Sequence, residues 1–197
     1  MSISDVWAIT PSVDDDRYFA DATLGAGGAL TLITNDAGVN GIGYKVLITS
    51  AGNDTGITFT IVGQAVGDLT GTATTEVVTG ASGAAATSTN FFAYIQSITL
   101  SGASAGNVKV GTVGSLALPR TRIRGFQYVG ATGAGTVIFN LNSTSGTEIL
   151  KVNTPAGVTI TQQMSIPGAG ILTTRSNNTD FAIMTLTNVA LITVFCG

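Results

Sequence analysis

Residues 56–63 read Gly-Ile-Thr-Phe-Thr-Ile-Val-Gly, a run in which Ile57, Phe59 and Ile61 alternate with threonine. Successive side chains of a β-strand point to opposite faces, so this alternation predicts a strand with one apolar face turned toward a core. The preceding residues 51–56, Ala-Gly-Asn-Asp-Thr-Gly, are of the kinds that favour tight turns. The stretch therefore predicts β-structure.

The same pattern of short apolar runs between Gly, Asn and Asp recurs on both sides of this stretch. Regularly spaced short strands are typical of sandwiches and barrels. The sequence predicts an all-β protein of two small β-sandwich or β-barrel modules with an extended N-terminal arm. The other predicted strands cover residues 28–34, 44–49, 74–79, 91–100, 108–112, 126–129, 136–141, 148–152, 158–164, 170–174, 182–188 and 191–195.

Pro119 suggests where the two modules meet, because proline lacks the N–H that a sheet ladder needs. We predict a first module over residues 23–117, a linker over 118–124 and a C-terminal module over 125–197. Residues 1–22 lie outside the clearest strand pattern and contain at most one helical turn, over residues 14–19. They are interpreted as an arm that reaches away from the body.

Charge and hydropathy narrow the classes of function. Charged residues make up 10% of the 197 residues, against about 25% in ordinary soluble domains, and mean hydropathy is +0.43. This combination predicts that part of the surface is buried against other subunits. The most apolar stretch, residues 181–195, is too short and too interrupted to span a membrane.

The net charge of −3 argues against nucleic acid as a partner, because nucleic-acid-binding proteins present basic patches. The first residues, Met-Ser-Ile-Ser-Asp-Val-Trp, lack the basic and apolar regions of a signal peptide. We therefore expect synthesis in a cytoplasm.

The sequence offers few of the residues that enzymes commonly use for catalysis. There is no histidine, the usual general base and a common zinc ligand, so the chain is predicted not to be an enzyme and to hold no metal or cofactor. A hydrolytic carboxylate pair of Glu76 and Glu148 is one interpretation, but charges on strand edges are the simpler one. The acidic run at residues 14–16, together with Asp21, matches no calcium loop.

Several segments resemble β-modules of tailed-bacteriophage virion proteins. In the first module these are residues 48–54 (ITSAGND), 56–63 (GITFTIVG), 76–80 (EVVTG), 98–102 (ITLSG) and 105–111 (AGNVKVG). In the second they are residues 166–171 (IPGAGI) and 185–189 (TLTNV), followed by Val194-Phe195. Residues 64–75 are rich in Gly and Thr, whereas a charged hairpin is usual there in the modules that the chain resembles.

The resemblance implies a structural protein of a phage particle. The expected role is that of a capsid decoration, or cement, protein. It would be made in the bacterial host cytoplasm, be located on the capsid surface, bind between subunits of the major capsid protein, and form a homotrimer. The alternative is a tail or head–tail component, including a receptor-binding adhesin. An exposed aromatic pocket for sugars would favour the adhesin, whereas a flat apolar base with an arm would favour the cement protein.

Two groups of side chains are predicted to bind the partner. Aromatic rings outside the strand pattern are typical interface anchors, and the acidic run beside them would steer the arm toward a basic neighbour. Arginines at alternate positions of an extended segment project from one face and bind carboxylates as forks. The first group is Trp7, Asp14, Asp15, Asp16, Tyr18 and Phe19, and the second is Arg120, Arg122 and Arg124.

Overall fold

The computed structural model of this chain shows β-structure throughout the part of the chain that it describes. Strands take 71% of those residues and helices none, whereas strands make up about a quarter of an average globular protein. The all-β prediction is confirmed. The described residues are 5–9, 13–35, 41–66, 72–118, 122–141, 145–155, 161–166, 170–172 and 182–196.

Fifteen strands are present in these described ranges. They are β1 (Asp5–Ile9), β2 (Asp14–Thr23), β3 (Gly28–Ala29), β4 (Gly43–Ser50), β5 (Thr58–Ala65), β6 (Thr74–Thr79), β7 (Ala85–Leu100), β8 (Asn107–Leu118), β9 (Arg122–Gly130), β10 (Gly135–Leu141), β11 (Glu148–Thr154), β12 (Thr161–Ser165), β13 (Ile171–Leu172), β14 (Ala182–Thr187) and β15 (Val189–Cys196).

The strands form two compact units. The insert unit comprises residues 13–113, and the split unit comprises residues 1–12 together with 114–197. The chain therefore passes from one unit to the other twice, after residue 12 and after residue 113. The two units divide between residues 113 and 114, within β8, which is a few residues before the predicted boundary near Pro119.

The insert unit is built around β7, a strand of 16 residues that changes partner along its length. Its first half, up to Phe92, pairs with β4, and its second half pairs with β5. The strand order is β8-β4-β7-β5-β6, with β2 on β8 and β3 on β7. Side chains of both halves meet in a single apolar core that includes Val46, Phe59 and Ile98.

The split unit has two sheets that pack face to face. One contains β1, β15 and β9, with β12 and β13 also on β9, and the other contains β11, β10, β14 and the end of β8. The ring of Phe126 on β9 lies 5.6 Å from the ring of Phe139 on β10, and both side chains are fully buried. This is the packing of a β-sandwich. Among the described strands neither sheet closes into a barrel.

The predicted N-terminal arm is not an arm. β1 is an edge strand of the split unit, paired with β15 so that Trp7 lies opposite Val194. β2 is a strand of the insert unit rather than a helical turn, and it pairs with β8. Residues 14–23 are thus paired with β8 at four positions. The polar sequence of β2 did not predict this pairing, because only one face of the strand is covered by the rest of the unit.

The predicted linker also falls largely within paired strands. Residue 118 ends β8, and residues 122–124 begin β9, where Ile123 is fully buried between two partly exposed arginines. Only residues 119–121 separate these strands, and they lie outside the described ranges.

Candidate functional site

The predicted N-terminal site divides between the two units. Tyr18 is fully buried in the core of the insert unit, and Phe19 packs against the same core. The buried Tyr18 ring is not available to anchor a partner, which corrects the prediction for Tyr18. Phe19 is partly exposed, and its contact with a partner stays a prediction. Trp7 lies on β1, and its side chain lies outside the part of the chain that the structure describes.

The acidic run on β2 is engaged in ion pairs of the insert unit. Asp15 accepts a hydrogen bond from Lys109 at 3.1 Å, and Asp14 lies 3.8 Å from Arg17. The hydrogen bond that Lys109 donates to Asp15 raises the pKa of Lys109, and the charges of Asp15, Asp21 and Asp16 act in the same direction. Asp16 is exposed. The acidic run therefore lies on a paired strand rather than on an arm, and its contact with a partner stays a prediction.

The predicted arginine group is only partly described. Arg122 and Arg124 lie on β9 at alternate positions and are both partly exposed, in accord with a common face. The amide of Ile166 donates to the carbonyl of Arg124 at 2.9 Å. Arg120 lies outside the described residues. Whether this group binds a carboxylate remains a prediction.

Two carboxylates serve local structure. Glu76 on β6 accepts hydrogen bonds from the amides of Thr89 and Asn90 and from the side chain of Asn90, so it ties β6 to β7. Asp54 is fully buried and accepts a hydrogen bond from the amide of Ala105 at 2.7 Å. It joins the turn after β4 to the turn before β8.

One recess in the insert unit was not predicted from the sequence. It is lined by Gly63, Gln64, Ala73, Tyr94 and Gln96 and has a volume of about 190 Å³; we call it the Tyr94 hollow. Tyr94 is 43% exposed, and both glutamines are exposed.

Two β-bulges shape this hollow. Between β5 and β7, Gln64 pairs with Tyr94, whereas Ala93 and Gln96 have no partner on β5. A bulge twists the strand and changes the direction of nearby side chains. Gly63 is required here, because a Cβ at this position would overlap the carbonyl oxygen of Tyr94.

The sequence did carry a sign of these bulges. Phe92, Ile95 and Ile98 are all fully buried, and a spacing of three does not fit a regular strand whose inward side chains recur every two residues. Such a change of phase in an otherwise alternating strand indicates extra residues. Here it also indicates the position of the hollow.

The edge of the insert-unit sheet is a second surface feature. β6 is the last strand in the described order, and its Val77 side chain is 59% exposed. A strand at a sheet edge presents unpaired N–H and C=O groups that can pair with another chain. The sequence of β6, Thr-Thr-Glu-Val-Val-Thr, suits such pairing because β-branched residues favour strands.

Other site types are not found in the described ranges. No group of three or more Cys, Asp or Glu side chains there is placed to hold a metal ion. Within the same ranges there is also no helix that could cross a membrane.

Comparisons with protein-family models, with curated proteins and with solved structures give no match for this chain. The resemblance to phage virion modules therefore stays a hypothesis carried by the quoted segments.

Proposed function

We propose that this chain is a non-enzymatic structural protein of a tailed-phage particle that binds between major capsid subunits as a decoration protein. The observation that carries the proposal is the edge strand β6, with its exposed Val77, in a chain of low charge. The described residues of both units form β-structure, and the chain has no histidine. Both features are in accord with a protein that acts by assembly rather than by catalysis.

The mechanism follows from mass action. A protein that binds only the assembled shell stabilises that shell by its binding free energy, repeated at every copy. Addition of a strand to a sheet edge supplies backbone hydrogen bonds, and the side chains that alternate along the edge supply specificity. In this proposal β6 is the edge that receives a strand of the capsid subunit, and the assembled form of the chain is a homotrimer.

The first test uses phage particles from lysates of the bacterial strain that carries the gene for this chain. Density-gradient-purified particles are analysed by mass spectrometry and by electron microscopy with an antibody to this chain. We expect its peptides in the particle fraction and the label on the head. Sedimentation velocity of the purified protein is expected to give the mass of a trimer. Absence of the chain from the particles contradicts the proposal.

A pair of variants tests the edge. Val77→Lys places a charge on β6 and is expected to reduce binding to particles stripped of this protein by at least about tenfold, because charges discourage strand addition. Thr99→Lys places the same charge at an exposed position of the interior strand β7 and is expected to bind normally. Equal binding by the two variants excludes β6 as the docking edge.

A second candidate function is that of a tail or head–tail component with a receptor-binding role. The Tyr94 hollow favours it, because an exposed ring between polar side chains is typical of sugar-binding surfaces, and the arm expected of a cement protein is not present. Antibody label on the tail rather than the head would support this candidate.

A further inference from the structure

We infer that the Tyr94 hollow binds one ring of a neutral saccharide. The inference deepens the receptor-binding candidate, and its biological role rests on that candidate. The contact itself is argued from the side chains and shape of the hollow.

The side chains of the hollow have complementary chemistry. An exposed tyrosine ring is apolar on its face and polar at its hydroxyl group, so it can cover the C–H face of a sugar and still contact water. Each glutamine amide offers a carbonyl acceptor and an NH₂ donor side by side. Neighbouring hydroxyl groups of a sugar ring, which both donate and accept, match such an amide.

The geometry brings these groups together on one side of the sheet. Tyr94 and Gln96 are exposed at alternate positions of β7 around the fully buried Ile95, and Gln64 lies opposite Tyr94 on β5. All three sit on strands of the insert-unit sheet, which hold a site more firmly than loops do.

Charge and size limit the ligand. The described lining residues include no lysine or arginine, so the hollow offers no countercharge to an acidic sugar. Its volume of about 190 Å³ corresponds to roughly six water molecules at about 30 Å³ each. That is room for a single ring, and drug-sized ligands require about 300 Å³ or more.

The experiment is saturation-transfer-difference NMR on the full chain. The probes are glucose, galactose, mannose, N-acetylglucosamine and the acidic sugar N-acetylneuraminic acid, each tested alone at millimolar concentration. We expect transfer to the ring protons of at least one neutral sugar and none to the acidic sugar. No transfer to any neutral sugar, or transfer to the acidic sugar alone, overturns the inference.

Variants locate the contact. Tyr94→Ala is expected to weaken binding by about tenfold or more, Gln64→Ala by about fivefold, and Tyr94→Phe only slightly because the ring is kept. Thr99→Ala, an exposed change elsewhere on β7, is the matched control and is expected to bind like the unmodified chain. Thermal melts verify that each variant is folded; the altered side chains are all exposed.

The outcomes separate this inference from the proposed function. If the Tyr94→Ala variant binds sugar with the same affinity as the unmodified chain, the hollow is not the sugar-binding site, whatever the location of the protein on a particle. If sugar binds at Tyr94 but the chain is absent from particles, the inference holds and the phage assignment fails. Binding of short peptides by the hollow in place of sugars would also overturn the inference.

Discussion

At the scale of single residues, the buried Asp54 constrains the turns around it. Its carboxylate accepts a hydrogen bond from the amide of Ala105. Its backbone N–H donates to the carbonyl of Ala81 at 2.9 Å. Gly80 lies so close that a Cβ there would press on the Asp54 backbone. Asp54 therefore connects three turns of the insert unit, one through its side chain and two through its backbone.

We expect Asp54→Ala to lower the free energy of unfolding by about 1–3 kcal/mol, because the amide of Ala105 loses a charged acceptor in a buried site. Asp54→Asn keeps a carbonyl acceptor and should cost less. Urea denaturation followed by circular dichroism measures both. Asp16→Ala is the control, since Asp16 is exposed, and a loss as large as that of Asp54→Ala would contradict this account.

At the scale of elements, the sequence predicted most strands but not their ends. β5 and β6 lie where alternation placed them, within a few residues. β7 is longer than expected because its first residues, Ala85 to Asn90, are small and polar and give no apolar alternation. Their pairing with β4 comes from the rest of the fold, which a local pattern does not contain.

β1 and β2 could not be predicted for a related reason. β2 begins with Asp-Asp-Asp-Arg, and only Tyr18 in it is fully buried. A strand with one buried residue does not differ from a polar loop in sequence. The register of β2 on β8 is also irregular, with two shifts between Asp14 and Ala22. The Tyr94 hollow was missed likewise, because its residues meet only through bulges.

The place of Tyr18 gives a test at this scale. Tyr18→Ala is expected to destabilise the insert unit by about 3–5 kcal/mol, the usual cost of removing a large buried aromatic side chain. The thermal midpoint of the free protein, without any particle, is the measurement. Val13→Ala, at an exposed position just before β2, should leave the midpoint nearly unchanged. If Tyr18→Ala leaves it unchanged as well, residues 14–23 are an arm after all.

At the scale of the whole molecule, each unit has buried apolar residues of its own. Phe59 belongs to the core of the insert unit, and Phe126 and Phe139 to the interior of the split unit. Composition suggested two β-modules, yet it gave no sign that one module interrupts the other. That arrangement depends on β1 pairing with β15, a contact between distant segments.

We expect Phe59→Ala to act mainly on the insert unit. Removing this fully buried ring should cost about 3–5 kcal/mol there and increase amide hydrogen exchange across residues 41–66 and 72–113. Exchange in β9, β10 and β15 should change little. For Phe139→Ala we expect the opposite result: increased amide exchange in the split unit and little change in the insert unit. Equal loss of protection in both units after either change would show that they unfold as one.

The pairing of β1 with β15 has a consequence for synthesis on the ribosome. β1 is synthesised about 180 residues before its partner β15, so at about 5–20 residues per second the nascent chain carries β1 without its partner for about 10–40 seconds. The insert unit, whose residues are all translated by position 113, can fold during that interval. The split unit closes only after Val189–Cys196 has left the exit tunnel. Until then β1, with the exposed Val6, is a free strand open to wrong pairing, and slower translation of the second half lengthens that exposure.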